Sequence, residues 1–168
     1  MWIMTEPILV MGLGNLLLSD DAVGLRLLED LERECSDPSV EFVDGGTQGI
    51  ALVGQFAERR SVLILDAIGL GAAAGTVHEL QGKDIEKLRA RRATSAHEGN
   101  GLGLIETARL LGICPEDLTV IGVEPEMVRT GLGLSSTVEA GVPAALAQAR
   151  NFLERRNLHV SCHSRKNY

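Results

Sequence analysis

The 168-residue sequence contains few cysteines and no excess of positive charge. Its three cysteines, Cys35, Cys114 and Cys162, form no CxxC pair, and their odd number favours a reducing compartment over a disulfide scaffold. The net charge is −7, which argues against a non-specific nucleic-acid binder, because such a protein needs a basic face. We therefore expect no nucleic-acid partner.

The sequence also lacks a long apolar run near its start. No basic region followed by an apolar stretch stands there, and the first apolar run ends in glycines and acids. We therefore expect neither a signal peptide nor a membrane span, and we expect a cytoplasmic protein. Hydrophobic residues make up 45% of the chain and charged residues 23%, values typical of one globular domain at this length. We predict that domain over residues 1–156 and a flexible tail over residues 157–168.

Several familiar binding motifs are absent as well. There is no HExxH motif, which excludes a zincin-type helix site, and no Walker lysine. Gly12 and Gly14 resemble part of a dinucleotide-binding turn, but Leu17 stands where the third glycine would fall. Two acids near the following helix start would also repel a pyrophosphate. Metal binding is therefore the stronger interpretation of this turn.

What is present is organised around residues 7–24. The apolar run from Ile8 to Met11 predicts a strand buried on both faces, and the glycines after it predict a tight turn. Residues 19–21, Ser-Asp-Asp, then predict the start of a helix. A strand, a glycine turn and two adjacent carboxylates form an arrangement that can bind a cation, place a base, or simply cap a helix.

Strands and helices alternate along the rest of the chain, with no internal repeat. Residues 40–46 predict a short strand that ends in an acid and two glycines. The apolar runs within 61–67 and 118–123 predict two further buried strands, and the alternating residues 75–80 predict an antiparallel edge strand. This order is typical of a mostly parallel twisted sheet covered on both faces. The fold class predicted is therefore α/β, with a three-layer α/β/α sandwich.

The connecting segments give finer expectations. Helical spacing predicts that Ile50 and Leu111 face the core from their helices. Ser136 and Glu139 match a capping box at the start of the last helix. His78 stands in the alternating edge strand, so we expect its side chain to face water.

Acids follow the predicted strands. Asp44, Asp66 and Glu124 each stand where an apolar strand ends, and the Gly14-Asn15 turn ends the first strand. The carboxyl ends of parallel strands share one rim of a sheet, which is where ligands bind in such folds. We therefore expect these residues to lie on the same rim.

Taken singly, each of these acids has a structural explanation. Asp20 and Asp21 gain about 0.3–1 kcal/mol each from the dipole of a helix start, and Asp44 or Asp66 could bond turn amides. Taken together, carboxylates at buried strand ends are poorly solvated and need a cation or several amide donors. His97 belongs to a loop that could reach the same rim, although a surface histidine is the alternative. Two carboxylates and one imidazole would suit zinc or nickel and leave positions open for water or substrate.

Five motifs follow one another along the chain. They are GLGNLLLSDDAVG at 12–24, VDGGT at 43–47, LDA at 65–67, SAH at 95–97 and GVEP at 122–125. In the order and approximate spacing of these motifs, the sequence resembles the hydrogenase maturation endopeptidases from about Ile8 to about Arg155.

The resemblance implies a function and a site. A member of this family removes a C-terminal extension from the large-subunit precursor of a nickel-iron hydrogenase after nickel insertion. The metal-binding triad of the family falls on Asp21, Asp66 and His97, which would recognise nickel already held by the substrate. Asp44 is implied to steer water or take a proton, so the implied catalytic set is Asp21, Asp44, Asp66 and His97. Other divalent metals such as zinc could occupy the same three residues, and we expect a monomer.

Two alternatives remain open from the sequence. A conventional hydrolase could carry its own zinc at the same three residues. A non-catalytic module could instead bind the large subunit or a nucleotide.

Overall fold

A five-stranded sheet forms the centre of the computed structural model, which describes residues 7–92 and 101–156. The strands lie in the order β2-β1-β3-β5-β4. Their bounds are Ile8–Leu13 for β1, Val40–Gly46 for β2, Ser61–Ala67 for β3, Val77–Gln81 for β4 and Asp117–Val123 for β5. All neighbouring pairs are parallel except β4 with β5, which is antiparallel. The prediction of a mostly parallel sheet with one antiparallel edge strand is confirmed.

Helices cover both faces of this sheet. The α-helices are α1 at Val23–Glu34, α2 at Gly82–Arg92, α3 at Gly101–Leu110 and α4 at Ser136–Glu154. Two 3-10 helices occur at Ser19–Ala22 and Gly49–Phe56. None of the helices within 7–92 and 101–156 is long and apolar enough to cross a bilayer.

Successive residues of β1 face opposite sides of the sheet, as the pleat requires. Val10 packs in the core under α1 and α4, whereas Met11 packs in the core under α2, α3 and the second 3-10 helix. Both side chains are fully buried, and each burial contributes about 1.5–3 kcal/mol. Because each face has its own helical layer, the α/β/α sandwich predicted from the sequence is confirmed.

Gly24 determines how closely α1 approaches the sheet. A Cβ atom at this position would lie 2.3 Å from the carbonyl oxygen of Leu13 and 2.4 Å from that of Leu65. Only a residue without a side chain lets the start of α1 pack against the carboxyl ends of β1 and β3. The preceding 3-10 helix, Ser19–Ala22, is thereby held at this edge of the sheet.

Three predictions about single helix residues were wrong. One residue lies in a 3-10 helix, and the other two lie at helix ends. Ile50 is 64% exposed, because the Gly49–Phe56 segment is a 3-10 helix whose winding turns other side chains inward. Leu111 is 60% exposed, because α3 ends at Leu110 and Gly112 adopts a left-handed conformation with φ of 70°. The cap of α4 is Ser135 rather than Ser136, and its hydroxyl accepts from the backbone N–H of Val138 at 3.3 Å.

The predicted boundary between domain and tail stays a prediction. Helix α4 ends at Glu154, and residues 157–168 lie outside the part of the chain that the structure describes.

Candidate active site

The strand order reverses at β1, and this reversal marks a crevice. The chain passes from β1 to β2 on one side and then returns to β3 on the other side of β1. In open α/β sheets the crevice outside the carboxyl ends of the strands at such a reversal is the usual ligand site. Gly12 pairs with Asp44 on one side and with Leu65, the neighbour of Asp66, on the other. Asp44 and Asp66 therefore flank the end of β1.

Asp66 is a buried carboxylate with a fixed orientation. It is 5% exposed, and its Oδ1 accepts from the backbone N–H of Ala67 at 2.8 Å. Its Oδ2 accepts from the backbone N–H of Gly101 at 3.0 Å, where α3 begins. A negative charge is favourable at a helix N-terminus, so this contact stabilises both the carboxylate and the start of α3.

Asp21 is held at the end of β1 by the glycine turn. Its Oδ2 accepts from the backbone N–H of Asn15 at 2.8 Å. Gly14 has a φ of 135°, and a Cβ atom there would lie 1.9 Å from the carbonyl oxygen of Asp21. The turn after β1 therefore packs directly on the 3-10 helix that carries Asp21, which explains the need for glycine.

Asp44 has a different environment from Asp66. It is exposed at the carboxyl end of β2 and lines a surface cleft of about 500 Å³. The prediction that strand-end carboxylates are poorly solvated is right for Asp66 and wrong for Asp44, because β2 is one of the two edge strands of the sheet. An exposed carboxylate keeps access to water, as a residue that activates water must.

Glu124, directly after β5, braces the loop that follows β3. It is 5% exposed, and its carboxylate accepts from the backbone N–H groups of Leu70 and Gly71 at 2.9 Å. Burial acts to raise its pKa, but the hydrogen bonds from Leu70, His78 and Gly71 outweigh burial and hold the pKa below its usual value. Glu124 is therefore an ionised structural anchor beside the site.

The prediction that His78 faces water was wrong. Its side chain is 16% exposed, and its Nε2 donates to Oε2 of Glu124 at 3.0 Å. Strand β4 runs antiparallel to β5 and places His78 opposite Gly122, so its ring reaches the carboxylate two residues further on. The alternating pattern of β4 gave no signal of this partner, because it does not reveal which strand lies beside it.

Asp20 was missed as an anchor for the loop between β5 and α4. It is fully buried, and it accepts from the backbone N–H groups of Glu126, Met127 and Ser135 at 3.0, 2.9 and 2.6 Å. The Ser135 hydroxyl adds a fourth hydrogen bond at 3.0 Å. Burial acts to raise the pKa of Asp20, but these hydrogen bonds outweigh burial and hold it below its usual value. Of the two adjacent acids, Asp20 is thus structural.

The structure brings Asp21, Asp44 and Asp66 to the same rim of the sheet, at the carboxyl ends of β1, β2 and β3. His97 lies outside the described residues, four positions before Gly101, whose N–H binds Asp66. Among the described residues, no three side chains of the metal-binding types converge on one point. The triad of Asp21, Asp66 and His97 therefore stays a prediction.

Comparison with known proteins decides the family. The family model for hydrogenase maturation proteases matches residues 25–151. The hydrogenase 2 maturation protease of Escherichia coli K12 is 39% identical over 143 residues, which cover 84% of this chain and 87% of that protein. The chain belongs to the hydrogenase maturation protease family. The hydrogenase expression/formation protein HupD of Rhodobacter capsulatus is 31% identical over 93% of this chain and 75% of its own length.

A solved structure of a relative has the same fold as this chain. The hydrogenase maturating endopeptidase HybD from Escherichia coli superposes with a TM-score of 0.81 at 36% identity, over 92% of this chain and 96% of that one. The protein is therefore an enzyme that hydrolyses a peptide bond, and the role of its family is C-terminal processing of the hydrogenase large subunit. The family resemblance found in the sequence is confirmed, and the non-catalytic module is the weaker alternative.

Proposed function

We propose that this protease removes the C-terminal extension of a nickel-iron hydrogenase large-subunit precursor and that Asp21, Asp66 and His97 bind the nickel carried by that precursor. The observation that carries the proposal is the setting of Asp66. Its carboxylate is buried at the carboxyl end of β3, beside β1, and two backbone amides orient it. Asp21 lies at the end of β1 on the same rim. A fixed carboxylate at this position is suited to meet a metal presented by a substrate.

The chemistry of the donor set supports this role. Two carboxylates and one imidazole suit borderline divalent ions such as nickel and zinc. Three protein ligands leave positions for groups of the substrate and for water. A metal bound there would act as a Lewis acid for the scissile carbonyl or for water. We propose nickel as part of the substrate and zinc as an ion that can occupy the same donors.

We propose that Asp44 orients the attacking water or accepts its proton. It is exposed at the end of β2 and lies level with Gly12 at the end of β1. A general base must be within hydrogen-bond reach of the water that it activates, and a solvated carboxylate at the crevice is accessible to water.

We further propose a cytoplasmic monomer whose only macromolecular partner is the precursor. Within the described residues, Cys35 and Cys114 are both free, as expected in a reducing compartment.

The test is cleavage of the purified precursor in nickel-loaded, zinc-loaded and metal-free forms. We expect cleavage of the nickel-loaded form alone, and we expect Asp66→Asn and His97→Ala to abolish it. Asp84→Asn removes an exposed carboxylate on α2 and serves as the matched control with unchanged activity. Equal cleavage of the nickel-loaded and metal-free precursors would contradict nickel recognition. Stoichiometric zinc in the purified enzyme, together with activity on unrelated peptides, would instead favour the zinc-carrying hydrolase.

A further inference from the structure

The 3-10 helix that carries Asp21, Ser19–Ala22, is too short to hold that side chain in place by itself. It is a single turn of four residues, and no side chain of the described residues caps its start. On one side, the Asp21 carboxylate is bonded to the Asn15 N–H in the turn after β1. The contacts on the other side of this helix therefore also determine where the Asp21 carboxylate lies.

The other side of the helix is attached to the loop between β5 and α4, residues 124–135. The Ser19 N–H donates to the Gly131 carbonyl, and the Gly131 N–H donates to the Leu17 carbonyl, both at 2.9 Å. A parallel β-bridge between Leu18 and Gly131 belongs to the same contact. The chain directly before Asp21 thus pairs with the loop in the manner of a short strand.

Ser19 adopts a strained backbone conformation within this contact. Its φ is 52°, in the left-handed region that residues other than glycine rarely adopt, and it is 6% exposed. Its hydroxyl donates to the Arg129 carbonyl of the same loop at 3.0 Å. Strain of this kind persists only where the surrounding contacts impose it, and it clusters at functional sites. The loop therefore imposes the path of the chain into Asp21.

The carboxylate of Asp20 binds the same loop. It is fully buried and accepts from the backbone N–H groups of Glu126 and Met127 and from both the N–H and the hydroxyl of Ser135. Hydrogen bonds to a carboxylate are about twice as strong as those between neutral groups. Because Asp20 and Asp21 are adjacent in one helical turn, any shift of the helix away from the loop would move Asp21 as well.

We infer that Ser19 and Asp20 are positioning residues, which hold the Ser19–Ala22 helix against the loop and thereby keep the Asp21 carboxylate where it binds the metal. The inference rests on the proposed function, because it takes Asp21 as a metal ligand. Neither Ser19 nor Asp20 touches the reacting atoms. Groups that orient a metal ligand are typically worth about 10–100-fold in metal affinity, so the contribution of this contact is measurable.

Asp20→Asn tests the helix side of the contact. An asparagine presents an NH₂ group to at least one of the N–H donors that Asp20 now binds. We expect the zinc affinity of the enzyme, measured by calorimetry, to fall about 10–100-fold. We also expect the Asn15 amide to exchange its hydrogen about tenfold faster relative to amides of β3, because its bond to Asp21 opens locally.

Asp117→Asn is the matched control. Asp117 accepts from Nε of Arg156 at 2.7 Å, and it lies at the start of β5, at the opposite end of the strand from the rim. The variant removes a hydrogen-bonded carboxylate of similar kind, so any general loss of stability is shared with Asp20→Asn. We expect its zinc affinity and its Asn15 exchange to match the wild type.

Gly131→Ala tests the contact from the loop side. A Cβ atom there would lie 2.9 Å from the Ser19 hydroxyl oxygen, whereas the next atom outside the adjacent residues, the Arg129 carbonyl oxygen, is 3.9 Å away. Gly131 is only half-buried, so the variant is expected to fold. We expect its zinc affinity to fall about tenfold. Adding Ser19→Ala removes the hydroxyl that clashes, so the double variant should recover most of that loss.

The outcomes separate the inference from the proposed function. If Asp21→Asn abolishes zinc binding but Asp20→Asn and Gly131→Ala keep the wild-type affinity and Asn15 exchange, the inference is wrong and Asp21 remains a ligand. Losses in the double variant that simply add would also overturn the inference. If the wild type binds no zinc, or binds it equally well after Asp21→Asn, Asp21 is no ligand, and the metal-binding part of the proposed function fails together with the inference.

Discussion

The Nε2 atom of His78 donates a 3.0 Å hydrogen bond to Oε2 of Glu124, across the antiparallel pair of β4 and β5. The same carboxylate holds the backbone N–H groups of Leu70 and Gly71. The loop that follows Asp66 is thereby tied to the end of β5 and, through His78, to β4. This buried carboxylate does no chemistry in our account, but it holds in place the chain that leaves the site.

Replacing Glu124 by Gln tests this brace. A glutamine has one acceptor oxygen and presents an NH₂ group to donors, so at least one of the N–H groups that Glu124 now binds loses its partner. We expect the free energy of unfolding, measured with urea, to fall by about 1–3 kcal/mol. Glu126→Gln changes an exposed side chain two residues away and should be neutral. Equal unfolding free energies for the two variants would show that the brace contributes nothing.

The stability of the protein should depend on pH through Asp20 and Glu124. Their pKa values in the folded state lie below the ordinary values of 3.8 and 4.5. The stabilisation is therefore complete above those ordinary values and is lost as the pH falls through the lower folded values. We expect Asp20→Asn to be less stable than the wild type at pH 7, with a difference that shrinks as the solution is acidified. Urea unfolding at a series of pH values measures this, and a difference independent of pH would contradict it.

Gly14 should tolerate no side chain. A Cβ atom there would lie 1.9 Å from the carbonyl oxygen of Asp21, and the φ of 135° disfavours other residues. We expect Gly14→Ala to lose at least about 2 kcal/mol of stability, together with activity, because the turn and Asp21 must separate. Gly54→Ala is the matched control, since a Cβ atom there meets nothing within 4 Å. Thermal unfolding of both variants compares them directly, and a Gly14→Ala protein as stable as the control would refute the account of the turn.

Asp44 should matter for catalysis and not for stability. Because its side chain is exposed, Asp44→Asn should leave the melting temperature unchanged. If Asp44 activates water, kcat on the precursor should fall by about 100-fold with KM nearly constant. Glu41→Gln, an exposed carboxylate on the same strand, should keep full activity. A wild-type kcat for Asp44→Asn would assign the activation of water to another group.

The sequence predicted those features that depend on local pattern. The apolar run of β1, the glycine turn and the acids after the strands are all short-range signals, and they placed Asp44 and Asp66 on one edge of the sheet. The anchoring partners of Asp20 and Glu124 could not be predicted in this way. Asp20 binds amides more than 100 residues away, and Glu124 binds a histidine on a neighbouring strand. Such pairs depend on which segments lie side by side, and that is decided by tertiary packing.

The same distinction explains the errors in the helices. Leu111 was expected inside α3, but the left-handed Gly112 ends the helix one residue earlier. The cap of α4 was expected at Ser136, but the hydroxyl that caps the helix belongs to Ser135. The spacing of apolar residues does not reveal either helix end. His97 was named from its sequence context and its family motif, and its place in the site stays a prediction.

The central claim is that Asp21, Asp66 and His97 bind one metal ion. The most direct measurement is a crystal structure of the protein soaked with nickel or zinc, with the ion located by its anomalous scattering. We predict one ion about 2.0–2.2 Å from a carboxylate oxygen of Asp21, a carboxylate oxygen of Asp66 and a ring nitrogen of His97. An ion bound elsewhere, or a His97 ring remote from both carboxylates, would contradict the account.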